Sequence, residues 1–223
     1  PDYPSLWGLS WQWQGPKIAF TTGEGRSDEE RQMGLADVWV KDTESDTQYA
    51  VTSGGAAALE ERSTWRLFDW TRDDRYIIAW LEQYDEEGDI RYRGIDLIDP
   101  EAEETFHALY YETATSEEIR ISPLEGWKAS WDATKMVFVG TQYTVFGPRE
   151  EPRRENPRSV MRLFSIPDRK SQEILSYNEE QDRYVMSSHP SWTSDSRRIV
   201  IPRVRILSTS PYTTECDLFL VSL

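Results

Sequence analysis

The side chains best suited to catalysis are few in this sequence. It holds two histidines, His107 and His189, and one cysteine, Cys216. A zinc site needs three or four His, Cys or carboxylate ligands close together, and no Cys/His cluster is present. A Ser-His-Asp triad would have to use one of the two histidines, and both lie in strand-like sequence rather than in a catalytic turn. The residue types therefore predict no metal site and no catalytic residue.

Other patterns of catalysis and cofactor binding lead to the same expectation. The nucleophile elbow Gly-x-Ser-x-Gly and the glycine-rich phosphate loop are both absent. The 40 Asp and Glu residues leave a glycosidase-type carboxylate pair open, but nothing singles out two of them. The acidic run 85–89 lacks the ligand spacing of a calcium loop, so a solvated charge run is favoured there. We expect no cofactor.

Clusters of arginine give two segments local positive charge in a chain whose net charge is −15. Six of them in two segments are the candidate contacts for a partner: Arg149, Arg153, Arg154, Arg158, Arg203 and Arg205. Alternation along a strand places Arg203 and Arg205 on one side of it. Two interpretations stay open: pairing with neighbouring carboxylates, which we favour for the second segment, and docking to an acidic protein or lipid surface.

The elements that would position these residues recur four times. Trp11, Trp70, Trp131 and Trp192 lie 59, 61 and 61 residues apart, and an apolar strand begins six or seven residues after each. A second apolar strand follows in every copy, and a third in all but the last. A period near 60 with a fixed internal layout indicates a structural repeat. We expect the four tryptophans at equivalent, mostly buried positions of four-stranded antiparallel meanders.

The last copy, His189-Pro190-Ser191-Trp192-Thr193-Ser194-Asp195-Ser196, resembles the TolB-like repeat of β-propellers, which are also built from WD-type repeats. That repeat runs Pro-x-Trp-Ser-Pro-Asp-Gly, then an apolar strand, then Asp-[Ile/Leu]-[Tyr/Phe]-Val, which segments 37–40 and 217–220 match. The resemblance covers 9–223 and implies an all-β propeller, a single domain of four blades. The blades are expected at about 9–59, 60–125, 126–188 and 189–223. No copy keeps the complete Ser-Pro-Asp-Gly turn, so specialised or decaying blades are expected.

Polar insertions separate the second and third strands of each copy. They are expected at 23–36, 82–90, 142–158 and 204–215, all at one face of the propeller, where loops of repeat proteins usually bind. Segment 142–158 is the first choice for a partner contact. An extra strand is expected in the second blade, at 118–122. The N-terminal segment, 3–8, is expected to add the outer strand that the last blade lacks, which would close a four-bladed ring.

Composition narrows the function further. The isoelectric point near 4.6 disfavours nucleic acid, and no apolar run approaches the roughly 18–20 residues of a membrane helix. No signal peptide is present, and an opening without Met is what a processed or partly observed polypeptide shows. We expect Cys216 to be a small buried thiol.

Two function classes remain. The first is a non-catalytic protein-interaction scaffold, an accessory subunit of an envelope or membrane-associated complex in the periplasm or another extracytoplasmic space, as the TolB-like resemblance implies. The second is an enzyme of the propeller channel, of the lyase or glycosidase type, supported only by analogy between folds. An enzyme should bring several His, Arg, Tyr or carboxylate side chains together at the channel.

Overall fold

The computed structural model describes residues 8–23, 35–52, 62–85, 87–112, 117–121, 126–147, 153–186, 189–209 and 212–223. The chain divides into two compact units, residues 1–113 and 114–223. Each unit contains two antiparallel β-sheets. In the described residues, the one helix is a single short turn that is too short to span a membrane.

The first unit contains sheets I and II. Sheet I is formed by β1 (Gly8–Trp11), β2 (Lys17–Thr22), β3 (Asp37–Asp42) and β4 (Gln48–Ala50). Sheet II is formed by β5 (Arg62–Trp70), β6 (Ile77–Tyr84), β7 (Ile90–Asp99) and β8 (Glu104–Glu112). Strands that follow each other in the chain are antiparallel neighbours. Both sheets are therefore the meanders that the sequence predicted.

The second unit contains sheets III and IV. Sheet III is formed by β9 (Glu117–Ile121), β10 (Trp127–Ala129), β11 (Lys135–Phe146), β12 (Arg153–Ser165) and β13 (Lys170–Asn178). Helix α1 (Glu179–Asp182) leads to sheet IV, which is formed by β14 (Tyr184–Met186), β15 (Ser191–Trp192), β16 (Arg198–Thr209) and β17 (Tyr212–Ser222).

Two short strands share one edge of a long strand in each sheet of the second unit. Strands β9 and β10 both pair with β11, and β14 and β15 both pair with β16. The extra strand expected at 118–122 therefore exists, but it belongs to sheet III rather than to the second blade. Strand β14 likewise begins sheet IV, next to β15 on the same edge of β16. Long second strands recruit these segments because they offer more backbone partners than one short first strand can use.

Alternating apolar residues form a core between the two sheets of each unit. In the first unit, Ala19, Val38 and Val40 of sheet I pack against Trp70 and Ile77 of sheet II. In the second unit, Val137, Val139 and Met161 pack against Ile199 and Ile201. Complete burial of one such aliphatic side chain is worth roughly 1.5–3 kcal/mol.

One backbone hydrogen bond follows directly after each of the strands β1, β5, β10 and β15. It joins the N–H of Gln12, Thr71, Ser130 or Thr193 to the carbonyl five residues later. The residues just before these four are Trp11, Trp70, Ala129 and Trp192, so these occupy equivalent positions. Trp70 and Trp192 are buried, as expected.

Two of the tryptophan predictions are wrong. Trp131 lies two residues beyond the equivalent position, in the turn between β10 and β11, and is 51% exposed. Trp11 holds the equivalent position but is 54% exposed.

The buried tryptophans tie each sheet to the one before it. The indole N–H of Trp70 donates to the carbonyl of Ser10 at 3.1 Å, and that of Trp192 donates to the carbonyl of Lys128 at 3.0 Å. Ser10 precedes Trp11, and Lys128 precedes Ala129. The acceptor is therefore the same position of the preceding sheet in both units.

The turns after β5, β10 and β15 keep the polar core of the TolB-like turn. In the third of them, the Thr193 hydroxyl donates to Asp195, whose carboxylate accepts the Arg197 N–H. Residues with φ of 55–59° stand where the repeat has glycine: Asp74, Ala133 and Ser196. The departures from the repeat noted in the sequence thus leave the turn geometry intact.

Two of these positive-φ residues reach back to the preceding sheet. The Asp74 carboxylate accepts the backbone N–H groups of Trp13, Gln14 and Gly15, the last two at 2.7 and 3.1 Å. The Ser196 hydroxyl accepts the N–H of Asp132 at 3.1 Å. A side chain at the glycine position therefore holds the turn of the neighbouring sheet.

The expected insertions connect β2 to β3, β6 to β7, β11 to β12 and β16 to β17. Three of them are partly strand rather than loop: 82–84 belongs to β6, 142–146 and 153–158 to the β11–β12 hairpin, and 204–209 and 212–215 to the β16–β17 hairpin. The polar sequence misled the prediction because exposed hairpins alternate polar residues on their open faces. Residues 24–34 and 148–152 lie outside the described residues. That the insertions share one face stays a prediction.

Strand β17 pairs with β16 alone among the described residues. Residues 1–7 lie outside them, so closure by the N-terminal segment stays a prediction; Gly8 belongs to β1. Cys216 is exposed, contrary to the expected buried thiol. Its side chain points away from the core, since it alternates with Asp217 and Phe219 on the core side of β17.

Candidate functional site

Sheets III and IV carry the long hairpins on which the predicted arginines lie. Strands β11 and β12 have 12 and 13 residues, and β16 and β17 have 12 and 11. The corresponding strands of sheet I have six each. The hairpins continue past the apolar core of the second unit, so their outer halves must be held by polar and aromatic contacts.

Arg203 provides such contacts for sheet IV. Its guanidinium binds both carboxylate oxygens of Asp217 across the strand pair, at 2.7 and 3.1 Å. It also lies 4.5 Å from the Tyr184 ring centroid and 5.0 Å from that of Phe219. Hydrogen bonding raises the pKa of Arg203 and lowers the pKa of Asp217. The pairing interpretation holds for this residue, which serves its own sheet.

Arg158 is likewise engaged inside sheet III. Its guanidinium donates to Glu173 at 2.9 Å and to Ser176 at 2.8 Å, both on β13. It also reaches the buried Gln142 on β11, at 3.5 Å. One side chain therefore spans three neighbouring strands, which favours a structural role.

The remaining arginines lie nearer the hairpin ends. Arg153 pairs with Phe146 at the last described rung of β11–β12, and both side chains are exposed. Arg154 lies next to it on β12, half-buried. Arg205 is exposed on β16, 5.8 Å from the Tyr184 ring centroid and on the same side as Arg203, as the alternation predicted. Arg149 lies outside the described residues.

A second polar site occurs in sheet II, where Asp96 on β7 faces His107 on β8. His107 Nδ1 lies 2.7 Å from Asp96 Oδ1. Asp96 is completely buried, whereas the His107 side chain is 47% exposed. Asp96 Oδ2 has no hydrogen-bond partner among the described residues. The carboxylate thus orients the ring and leaves the Nε2 side towards solvent.

Two tyrosines extend this pair into an aromatic stack. The His107 ring lies 4.2 Å from the Tyr110 ring, and Tyr110 lies 5.2 Å from Tyr92, with planes within 18°. Gly94 makes the stack possible because it pairs with Tyr110 across the strands. A Cβ at that position would lie 2.3 Å from the Leu109 carbonyl oxygen and 3.2 Å from the Tyr110 ring.

Burial and hydrogen bonding set the protonation of the pair. Burial raises the pKa of the Asp96 carboxyl, against the opposing effect of the hydrogen bond to His107. The same hydrogen bond raises the pKa of the His107 imidazole, against the effect of its partial burial. An imidazole held by a carboxylate in this way can take up or release a proton at Nε2.

Sequence reasoning missed this pair, although a signal was present. Asp96 is the one charged residue in the apolar run Gly94–Ile98, and such a carboxylate needs a partner when the strand is buried. The partner could not be identified because a bulge between Ile95 and Asp96 sets the register of β8. Among the described residues, no three His, Cys, Asp or Glu side chains are grouped to hold a metal ion.

Comparisons with known proteins bear on the fold. No protein-family model matches the chain, and no curated protein matches it. The solved oligogalacturonate lyase in complex with manganese aligns with 98% of the chain at 16% identity and a TM-score of 0.53, over 48% of that protein. The β-propeller domain of the Trilobed protease from Pyrococcus furiosus aligns with 97% of the chain at 16% identity and a TM-score of 0.47, over 54% of its length.

TolB from Acinetobacter baumannii aligns with 98% of the chain at 11% identity and a TM-score of 0.43, over 44% of its length. The chain thus spans about half the length of each of these three solved structures. They include enzymes as well as TolB, so they do not separate the two function classes. The four antiparallel sheets and the likeness to the oligogalacturonate lyase together show a β-propeller fold with four blades.

Proposed function

We propose that the chain is a non-catalytic protein-interaction scaffold whose contact surface is formed by the ends of the β11–β12 and β16–β17 hairpins. The observation that carries the proposal is the length of these hairpins. Their strands are about twice as long as those of sheet I, and the outer halves are held by Arg158 and Arg203 rather than by the core. Structure is thereby maintained in a region that adds little to the core.

The hairpin ends suit a protein partner. Phe146 is 47% exposed and Leu207 is 41% exposed, and each has an exposed arginine nearby, Arg153 or Arg205. Aromatic and arginine side chains are enriched at protein interfaces. Positive charge on a chain of net charge −15 would favour a partner with an acidic surface. Following the TolB-like resemblance, we place the partner in a membrane-associated complex outside the cytoplasm.

The experiment is site-specific photocrosslinking in the source cells, with a crosslinking amino acid at Phe146, followed by binding of the purified partner. Arg153→Ser should weaken binding at least about 10-fold if the arginine is a contact, which is about 1.4 kcal/mol. Lys170→Ser removes an exposed cation from β13 of the same sheet and is the matched control. Equal affinity of both variants for the partner contradicts the proposed surface.

A second function is favoured by the Asp96–His107 pair. A carboxylate that orients an imidazole is the arrangement of the general base in many hydrolases. Turnover of ester or glycoside substrates that disappears in His107→Gln but not in His189→Gln would support an enzyme. Absence of turnover in the wild-type chain over such a panel would leave the scaffold as the better account.

A further inference from the structure

Aromatic rings and arginines form one contiguous patch on the face of sheet IV that packs towards sheet III. The ring centroids of Tyr177 on β13 and Tyr184 on β14 lie 5.6 Å apart, so this pair bridges the two sheets. The guanidinium of Arg203 lies between the Tyr184 and Phe219 rings, at 4.5 and 5.0 Å from their centroids. Arg205 extends the group at 5.8 Å from the Tyr184 centroid. We call these five residues the aromatic–arginine patch.

The two arginines of the patch differ in what holds them. Arg203 binds both carboxylate oxygens of Asp217 and reaches the Tyr177 hydroxyl at 3.5 Å. Arg205 is exposed and makes no hydrogen bond or ion pair with any described residue. Glu215, its direct neighbour across the strands, makes none either within the described ranges. One guanidinium is therefore fixed, and the five N–H donors of the other stay open to a ligand.

The distribution of charge favours an acidic occupant of the patch. Residues 114–223 hold 15 Lys or Arg and 15 Asp or Glu, whereas residues 1–113 hold 10 and 25. The net charge of −15 thus belongs to the first unit, and an acidic group meets no net repulsion from the second. A guanidinium binds a carboxylate through two parallel hydrogen bonds. Tyrosine, phenylalanine and arginine are also the side chains enriched at protein interfaces.

We propose that the aromatic–arginine patch binds an acidic segment of a protein partner, with an Asp or Glu carboxylate on Arg205 and an apolar side chain against Tyr184. The inference rests on the proposed interaction scaffold and adds the chemistry of the partner. Arg203 already holds the Tyr184 ring in place, so little side-chain freedom is lost on binding. Glu215 faces the same site from β17, and its negative charge weakens the binding of an acidic segment.

Fluorescence anisotropy of a fluorescein-labelled peptide that alternates Glu with Leu tests the site. The reference is the same peptide with Gln in place of each Glu, which should bind at least about 10-fold more weakly. Arg205→Gln should raise the dissociation constant of the Glu peptide by about 10-fold or more, because the charge and the forked donors are both lost. Arg205→Lys keeps the charge alone and should give an intermediate value.

Arg198→Gln is the matched control for the loss of positive charge. Arg198 is an exposed arginine on the same strand, seven residues before Arg205 and therefore on the opposite face. Glu215→Gln should act in the other direction and lower the dissociation constant by about 3-fold, because it removes repulsion without adding a contact. Since all three side chains are exposed, thermal melts of the variants should match the wild type.

The inference is overturned if the Glu peptide does not bind, if the Gln peptide binds as tightly, or if Arg205→Gln leaves the dissociation constant unchanged. Phosphatidylserine vesicles provide the alternative acidic surface. Vesicle binding that Arg205→Gln abolishes, without any binding of the peptide, would make a membrane the ligand and would also overturn it. Failure of the proposed scaffold is distinguishable, because it appears as no protein captured by crosslinking from Phe146, which does not involve Arg205.

Discussion

Replacement of Trp70 by alanine should lower the free energy of unfolding by about 3–5 kcal/mol. The indole is 1% exposed and lies in the core of the first unit, so its loss removes a large buried surface and leaves a cavity. About 1 kcal/mol of the loss belongs to the hydrogen bond from Nε1 to the Ser10 carbonyl. Trp131→Ala should cost much less, within about 1 kcal/mol, because that side chain is half exposed in a turn.

Urea unfolding followed by far-UV circular dichroism gives the free energies, and hydrogen exchange of the β6 amides locates the effect in sheet II. Trp70→Phe adds a second comparison, since it keeps most of the volume and removes the N–H donor. Equal losses for Trp70→Ala and Trp131→Ala would restore the tryptophan alignment that the 61-residue spacing suggests. A loss below about 1 kcal/mol for Trp70→Ala would refute its burial.

Three further predictions follow from particular contacts. For variants at position 74, the free energy of unfolding should be highest with the native Asp and fall in the order Asn, Gly, Ala. Glycine removes the hydrogen bonds to the sheet I turn. Alanine removes them too and must adopt a φ of 59°, which costs it about 1 kcal/mol more than it costs glycine. Gly94→Ala should destabilise the chain by about 1–3 kcal/mol, as measured by urea unfolding, because the new Cβ meets the Leu109 carbonyl; an unchanged midpoint would contradict this. Since the pKa values of Asp96 and His107 are raised in the folded chain, it holds more protons than the unfolded chain, and stability should fall as pH rises. The contribution of His107 to the free energy of unfolding is complete below about pH 6.5 and is lost as the pH rises through its raised pKa. In the His107→Gln variant, the free energy of unfolding should therefore depend less on pH above about 6.5 than in the wild type. An unchanged pH dependence would refute this prediction.

The repeat could be predicted because each copy pairs a strand-turn-strand signal with a fixed length. The third apolar strand expected in the first three copies is present as β4, β8 and β13. The position of one tryptophan could not be predicted from spacing alone. Trp131 fits the 61-residue spacing, yet Ala129 occupies the position that Trp70 and Trp192 hold in their sheets. Strand register depends on backbone hydrogen bonds, which residue spacing does not reveal.

The arginines show where prediction of the site stops. Alternation correctly placed Arg203 and Arg205 on one side of a strand, and pairing with a carboxylate was the favoured interpretation, although the sequence did not identify Asp217 as the partner of Arg203. Arg158 instead binds Glu173 and Ser176, which lie on the next strand. That contact depends on the β12–β13 register, which shifts by a bulge after Met161, and sequence patterns do not fix such a shift.

The reach of Asp74 into the neighbouring turn has a consequence for how the first unit opens. The N–H groups of Gln14 and Gly15 belong to sheet I, but the carboxylate that protects them belongs to sheet II. In native-state hydrogen exchange, these two amides should therefore open together with β5 and β6 rather than with β2, which lies in their own sheet. The turn after β1 then belongs to the cooperative unit of sheet II, because Asp74, whose φ is 59°, holds this chain reversal of sheet I.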